Sequence, residues 1–213
     1  MGYKSFACMT IALVGNGRLS AVLAQGLAIA GHEVLVGIRE NDKIMFDFLL
    51  DEFENIQVMH VEEAAAAADL IIMATQPELV REMAYLLDDV RRKVILDITG
   101  IHHNGTGNYF NTVNAIKSIT GSPFVVKCFN TRGFEIVSTP ATRDNTINMF
   151  VAGDNKKAKE TAKVIARDLG FADSHDFGGI DAVPLLDEMA LCYHNLAAQD
   201  KKGEKIAIKI TKS

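Results

Sequence analysis

The sequence predicts an α/β protein built on a doubly wound, mainly parallel sheet. Short apolar runs alternate along the chain with longer stretches whose apolar residues recur at helical spacing. The runs are apolar throughout, which indicates strands that are covered by helices on both faces of a parallel sheet. A glycine turn, Gly15-Asn16-Gly17, joins the first apolar run to the first helical stretch.

The elements are expected in an alternating order. In the first half we expect strands at Thr10–Val14, from Glu33 to at least Val36, and at Ile56–Val61, Leu70–Ala74 and Val94–Asp97, and helices at Leu19–Ala30, Ile44–Phe53, Glu62–Ala68 and Pro77–Leu87. In the second half we expect strands at Phe124–Phe129, Thr146–Ala152 and Ala172–Phe177, helices at Asn155–Leu169 and Asp181–Ala198, and a strand-like tail at Lys205–Ile210. Asp154 is expected to be the N-cap of the helix that ends before Gly170.

Length and composition are typical of one large domain with a small appendage. The chain has 213 residues, of which 48% are apolar and 23% charged, and these values argue against disorder and fibrous repeats. We expect a main domain at residues 1–172 and a small C-terminal lobe at residues 173–213, although no linker marks the boundary.

Charge, cysteines and motifs exclude several classes of function. The net charge of −5 argues against a surface for nucleic acid. The three cysteines form neither a disulfide framework nor a metal motif, and no apolar run reaches the roughly 18 residues that cross a bilayer. The motifs of serine hydrolases, zinc proteases and P-loop proteins are missing. We therefore expect a cytoplasmic protein without a metal, nucleic-acid partner or membrane anchor.

The glycine turn predicts a dinucleotide site. It follows a buried strand and opens a helix, which is the context that the G-x-G-x-x-G pattern requires. Gly15 allows a tight turn, and Gly17 lets the backbone approach a diphosphate near the amide groups of the helix. Ser20 replaces the third glycine and is small enough for close packing. The alternative is a tight turn that binds nothing.

The end of the second strand predicts which dinucleotide binds. Sites for NAD usually carry Asp or Glu there, which accepts hydrogen bonds from the ribose. This strand ends at Arg39 instead, and Lys43 follows one turn later. A guanidinium can bind a 2′-phosphate through paired hydrogen bonds. The sequence therefore favours NADP(H), and the alternative for both cations is a solvated loop.

Five segments, taken in order, carry a family resemblance. They read GNGRLS from Gly15, GHEVLVGIR from Gly31, LIIMATQP from Leu70, VVKCFNT from Val125 and MFVAGDNKKAKETAKVIARDLGF from Met149. Together they resemble the NADPH-dependent deazaflavin-coenzyme (F420) reductase family, and they are also similar to the cytosolic oxidoreductase domain of transmembrane metalloreductases. The resemblance runs from Thr10 to about Ile210. It implies a Rossmann-like domain, a homodimer, and hydride transfer from NADPH to a small flavin- or deazaflavin-type acceptor.

The resemblance also implies which residues bind the cofactor. Ile38 stands where the family usually has a serine, so one hydrogen bond to the 2′-phosphate is missing. No catalytic side chain is expected, because hydride transfer to a flavin-type ring depends on alignment of the two rings. With Gly15 of the turn, the implied set is Asn16, Gly17, Arg18 and Leu19 for the diphosphate, Arg39 and Lys43 for the 2′-phosphate, Thr75, Gln76 and Pro77 in the loop under the nicotinamide ribose, Thr99 in the loop after the fifth strand, and Asn130 and Thr131 in the loop after the sixth.

Two other functions and three residues stay open at this point. The first alternative is a sensor or partner protein that holds NADP(H) without turnover. The second is a β-hydroxyacid or pyrroline-carboxylate dehydrogenase, but residues 173–213 leave little room for the large helical domain of those enzymes. His102 and His103 read as a surface loop or a substrate contact, and Cys128 reads as a buried filler or a thiol near the site.

Overall fold

The computed structural model describes residues 8–39, 46–100, 109–129, 147–199 and 210. These ranges contain eight strands, seven α-helices and two short 3₁₀ turns. In chain order they are β1 (Thr10–Val14), α1 (Arg18–Ile29), β2 (Glu33–Ile38), α2 (Asp47–Glu52), β3 (Ile56–His60), α3 (Val61–Ala67), β4 (Leu70–Met73), a 3₁₀ turn (Pro77–Leu79), α4 (Val80–Tyr85), β5 (Val94–Asp97), α5 (Thr112–Thr120), β6 (Val125–Cys128), β7 (Asn148–Ala152), α6 (Lys156–Asp168), β8 (Asp173–Gly178), a 3₁₀ turn (Ile180–Ala182) and α7 (Val183–Gln199).

All eight strands belong to one sheet, in the order β3-β2-β1-β4-β5-β6-β7-β8. Every neighbouring pair is parallel except β6 and β7, which are antiparallel. The chain proceeds outward from β1 through β2 to β3 and then returns to the other side of β1 with β4. This reversal is the point at which open α/β sheets bind ligands. The prediction of a Rossmann-like, doubly wound and mainly parallel sheet is confirmed.

The sheet is buried on both faces, which explains why its strands are apolar throughout. On β1, Leu13 faces one core cluster together with α1 and α6, and Val14 faces the other with α3, α4, α5 and α7. The alanines of α3 allow a close approach, since Ala64 and Ala65 are fully buried against the sheet. Burial of this kind stabilises the fold by roughly 25 cal/mol per Å² of apolar surface.

Helix α5 was missed by the sequence analysis. Its N-cap is Asn111, whose Oδ1 accepts a hydrogen bond of 2.9 Å from the backbone N–H of Asn114. It ends at Gly121, which adopts the left-handed conformation with φ of +67°. An Asn and a Gly that bracket a stretch of this length are a recognisable pair of helix signals. The helix at Pro77–Leu87 is also shorter than expected, since it opens with the 3₁₀ turn and ends at Tyr85.

The first element of the expected C-terminal lobe lies in the main sheet. Strand β8 pairs with β7 in parallel, and Val183 and Leu186 of α7 are fully buried in the second core cluster. The division into residues 1–172 and 173–213 stays a prediction, and most of the tail at Lys205–Ile210 lies outside the described residues. Within the described ranges, every helix is too short or too polar to cross a membrane.

The predicted N-cap of α6 was wrong by one residue. Asn155 caps the helix, because its Oδ1 accepts a hydrogen bond of 3.0 Å from Ala158 N–H. Asp154 instead accepts one of 2.9 Å from Ile180 N–H and forms an ion pair of 3.1 Å with Lys117. Asp154 therefore ties the start of α6 to the turn before α7.

These contacts predict a pH-dependent contribution of Asp154 to stability. The hydrogen bond from Ile180 and the Lys117 ammonium hold the pKa of Asp154 below its ordinary value. Since the folded-state pKa is lowered, the carboxylate stabilises the fold above its unfolded pKa, and this stabilisation is lost as the pH falls through the folded value. Asp154→Asn should cost no more than about 1 kcal/mol at pH 7, because the ion pair is half exposed. The cost should shrink toward pH 3 in urea unfolding; a cost independent of pH contradicts the assignment.

Candidate functional site

A pocket of about 320 Å³ opens at the carboxyl edge of the sheet. It lies between the ends of β1 and β2, the turn after β4 and the first turns of the following helix. It therefore coincides with the reversal of strand order, where ligands bind in this class of sheet. The lining residues are Gly15, Asn16, Gly37, Ile38, Arg39, Thr75, Leu79, Glu82 and Met83.

Gly15 lines the pocket and lies in close contact with the ends of two neighbouring strands. Its φ is +145°, and a Cβ atom built on it would lie 2.4 Å from the carbonyl oxygen of Ala74. Its N–H donates a hydrogen bond of 3.1 Å to the carbonyl oxygen of Gly37. Ser20 is buried nearby and donates a hydrogen bond of 3.3 Å to Ala74 O, so a small residue suffices at the third position of the motif. These contacts join the carboxyl ends of β1, β2 and β4.

Gly17 is the N-cap of α1 and has a different environment. Its φ is −87°, and apart from its neighbours in the chain no atom of the described residues lies within 4 Å of the position that a Cβ would take. No side chain caps the helix, and its first turn contains no acidic residue. Arg18 is exposed, whereas Leu19 is half buried against the first core cluster. The helix therefore presents an uncapped N-terminus beside the pocket, which favours an anion.

Arg39 reaches the pocket from the end of β2 and forms an ion pair with Glu82 of α4. The side chains are 43% and 54% exposed, so the pair lies at the rim. Sequence reasoning missed Glu82, because 43 residues separate it from Arg39. Only the order of the strands brings the start of α4 opposite the end of β2.

The turn after β4 contributes in part to the pocket. Thr75 lines it, whereas exposed Gln76 and half-buried Pro77 lie outside the lining. The carbonyl oxygen of Gln76 accepts a hydrogen bond of 2.9 Å from Leu79 N–H, which closes the 3₁₀ turn. The structure therefore places Gly15, Asn16, Arg39 and Thr75 around one pocket, and their contact with a cofactor stays a prediction.

A buried polar cluster lies beneath the carboxyl ends of β5 and β6. Lys127 and Asp97 are both fully buried, and Lys127 Nζ lies 3.2 Å from Asp97 Oδ2. The same ammonium donates to the carbonyl oxygen of Thr99 at 2.8 Å and to the Thr99 hydroxyl at 3.0 Å. Thr112 Oγ1 lies 3.2 Å from Nζ and donates to Asp97, while Asp187 of α7 lies 3.7 Å from Nζ. The sequence analysis assigned no role to Lys127, Asp97, Thr112 or Asp187.

Thr99 belongs to this cluster and not to the pocket lining. Its N–H and its hydroxyl both donate to Asp97 Oδ1, at 3.0 and 2.7 Å, and its side chain is buried. Its predicted contact with the cofactor stays a prediction.

Cys128 is fully buried next to the cluster. Burial raises the pKa of its thiol well above the ordinary value, and the Asp97 carboxylate raises the pKa further, against the opposing effect of Lys127. Full burial and a raised pKa both keep the thiol protonated, which favours the interpretation of Cys128 as a buried filler.

Several predicted residues lie outside the described ranges. They are Lys43, His102, His103, Asn130 and Thr131. Phe129 follows β6, is a non-glycine residue with φ of +53°, and packs its ring edge-on against Phe171 at 5.3 Å between centroids. Among the described residues, no group of three His, Cys, Asp or Glu side chains could hold a metal ion.

A family model matches the first part of the chain, which contains the pocket. Residues 10–100 match the family described as NADP oxidoreductase, coenzyme F420-dependent. This segment contains β1 through β5 and all the described lining residues of the pocket.

A curated relative and two solved structures extend the likeness. The metalloreductase STEAP3 of Rattus norvegicus is 26% identical over 82% of this chain, but the chain spans only 36% of that protein. A protein of Arthrobacter sp. FB24, provisionally described as an F420-dependent NADP-reductase, superposes with a TM-score of 0.75 at 23% identity, covering 89% of this chain and 94% of its own. An imine reductase of Myxococcus stipitatus, solved with NAD⁺, gives 0.65 at 14% identity, covering 90% and 62%.

The likeness to the solved structures shows the fold. The family match shows in addition that residues 10–100 are similar to NADP oxidoreductases. The resemblance that the five sequence segments indicated is therefore confirmed. Over residues 10–100 the chain is similar to the family described as NADP oxidoreductase, coenzyme F420-dependent.

Proposed function

We propose that this protein is an NADP(H)-dependent oxidoreductase that transfers hydride between NADPH and a small flavin- or deazaflavin-type acceptor. The observation that carries the proposal is the pocket at the reversal of strand order, which combines a glycine turn, an uncapped helix N-terminus and a guanidinium. When bound, NADPH would supply the hydride, and the chain would supply binding and alignment.

The residues fit such a dinucleotide. The open side of Gly17 leaves room for a diphosphate, and the start of α1 offers N–H groups and the positive end of the helix dipole. Arg39 occupies the position at the end of β2 where sites for NAD usually carry Asp or Glu, and an arginine there can accommodate a 2′-phosphate. Lys43 is proposed to assist Arg39.

The nicotinamide end is proposed to lie toward the turn after β4. Thr75 lines that side of the pocket, and Gln76 follows it. Asn130, Thr131 and Thr99 complete the proposed set. No side-chain acid is required for hydride transfer to a flavin-type ring, and the buried Lys127 ammonium is engaged inside the core.

A binding experiment tests the reading of the 2′-phosphate. Affinities for NADP⁺ and NAD⁺ are measured by calorimetry for the parent protein, for Arg39→Ala, and for Arg92→Ala as a control. Arg92 is exposed before β5, at the opposite edge of the sheet. Since a charge-assisted hydrogen bond contributes about 1.5–3 kcal/mol, Arg39→Ala should lower NADP⁺ affinity by roughly 10- to 150-fold. NAD⁺ affinity should change little.

Two results would contradict this assignment. One is equal affinity of the parent protein for both nucleotides, and the other is an equal loss of both in Arg39→Ala. Turnover separates the reductase from a sensor: steady oxidation of NADPH with FMN or F420 supports the enzyme. Binding of NADP(H) without oxidation by either acceptor would support the sensor.

Assembly as a homodimer and a place in the cytoplasm complete the proposal. Helix α7 exposes 59% of Leu185 and 57% of Leu196, two apolar side chains that a second copy of the chain could cover. Light scattering of the purified chain measures its molecular mass in solution. A monomer at micromolar concentration would contradict the proposed dimer.

A further inference from the structure

We infer that Glu82 is a specificity-determining residue whose carboxylate competes with the 2′-phosphate of NADP(H) for the guanidinium of Arg39. The inference rests on the proposed function, because it concerns the same pocket. It adds a residue that no motif in the sequence indicated.

The charges of the pocket set up this competition. Among the described lining residues, Arg39 is the one cation and Glu82 the one anion. Arg39 Nη1 donates a hydrogen bond to Glu82 Oε1, so the donors that would receive a phosphate are already engaged in part. The pair joins two separate elements, the end of β2 and the start of α4.

The pair is exposed enough to open. Its side chains are 43% and 54% exposed, and ion pairs in water contribute little because the charges remain solvated. A phosphate that carries close to two negative charges can therefore displace the carboxylate from Arg39. The displaced carboxylate stays tethered at the rim, where it repels the phosphate. Glu82 therefore weakens NADP(H) binding without preventing it.

NAD(H) is not expected to bind more tightly when the charge of Glu82 is removed. Its ribose carries a hydroxyl in place of the phosphate, and a carboxylate near Arg39 can accept a hydrogen bond from that hydroxyl. Removal of the charge at Glu82 should therefore strengthen NADP⁺ binding while NAD⁺ binding stays the same or weakens. The quantity that reports on Glu82 is the ratio of the two affinities.

The test compares Glu82→Gln with a matched control, Glu160→Gln. Glu160 is an exposed carboxylate on α6 that pairs with Lys163 at 2.8 Å and lies outside the pocket lining, so its removal changes the net charge equally. Dissociation constants for NADP⁺ and NAD⁺ are measured by calorimetry on the full chain at fixed ionic strength. Glu82→Gln should raise the preference for NADP⁺ by about three- to tenfold, which corresponds to breaking a weak exposed pair and relieving repulsion. Glu160→Gln should leave the preference unchanged.

A double variant separates competition from general repulsion. If Glu82 acts by occupying Arg39, its removal should gain less NADP⁺ affinity in the Arg39→Ala background than in the parent. Equal gains in both backgrounds, or no gain in the parent, would overturn the inference. A parent protein that prefers NADP⁺ and loses the preference in Arg39→Ala would leave the proposed function intact in that case. A parent protein that binds neither nucleotide would overturn both.

Discussion

Lys127→Ala is expected to destabilise the fold by about 3–5 kcal/mol, the cost of removing one partner from a buried ion pair. Lys127 and Asp97 are both fully buried, and the variant would leave the Asp97 carboxylate without its cation. The hydrogen bonds from the ammonium to Thr99 would be lost as well. The free energy of unfolding in urea, measured at pH 7, gives the size of the effect.

A second variant shows that the charge and not the volume is responsible. Lys127→Met fills most of the space, so it should be nearly as destabilising as Lys127→Ala if the uncompensated carboxylate dominates. Adding Asp97→Asn to Lys127→Met should then recover a large part of the loss, because the fully buried carboxylate is replaced by a neutral amide. The Thr99 and Thr112 hydroxyls donate to different oxygens of Asp97, so one of them can donate to the amide oxygen while the other accepts from the amide NH₂. A loss below about 1 kcal/mol in Lys127→Met would contradict the argument.

The cluster around Lys127 and Asp97 could not be predicted from the sequence. A lysine in the run VVKCF, and an aspartate at the end of VILD, are unremarkable separately. The sheet makes them partners, because Asp97 and Lys127 are paired in the parallel register of β5 and β6. That register depends on which strands are neighbours, and the local pattern of apolar residues carries no such information.

The strands themselves were predictable, because fully buried strands leave a local signature. Thr10–Val14 and Val94–Asp97 occur at the predicted bounds, and Leu70–Met73 ends one residue early. Helix α2 is described only at Asp47–Glu52, within the predicted Ile44–Phe53. Helix ends were less accurate, because capping depends on tertiary contacts: Asp154 has the right chemistry for an N-cap but binds Ile180 instead.

Some of the residues that line the pocket could be predicted from local motifs, and others could not. Gly15, Asn16 and Arg39 were found because the glycine motif and the end of β2 are local signals with a known spatial relation. Glu82 was not found, because its place opposite Arg39 depends on the path of the chain after β4. Thr99 follows a strand that ends at the correct edge, but the Lys127 cluster engages its polar groups.

Substitution by alanine is expected to destabilise the fold strongly at Gly15 and only slightly at Gly17. Gly15→Ala should lower the free energy of unfolding by about 3 kcal/mol or more, because the new methyl group would meet the Ala74 carbonyl at 2.4 Å and the backbone has a positive φ. Gly17→Ala should change it by no more than about 1 kcal/mol, since its φ is −87°, the methyl group would meet no atom of the described residues beyond the neighbours of Gly17 in the chain, and Ala is only a weaker N-cap than Gly.

The contrast isolates the role of the turn in binding. The space beside Gly17 is where the proposed diphosphate would approach the backbone, so Gly17→Ala should lower affinity for both NADP⁺ and NAD⁺ by at least about tenfold in a protein that remains fully folded. Circular dichroism in urea measures stability, and calorimetry measures affinity on the same samples. A Gly17→Ala protein that keeps full affinity would place the diphosphate elsewhere. A stable Gly15→Ala protein would mean that the end of β4 can move away from the turn. In that case the close contact between Gly15 and Ala74 does not determine the shape of the pocket.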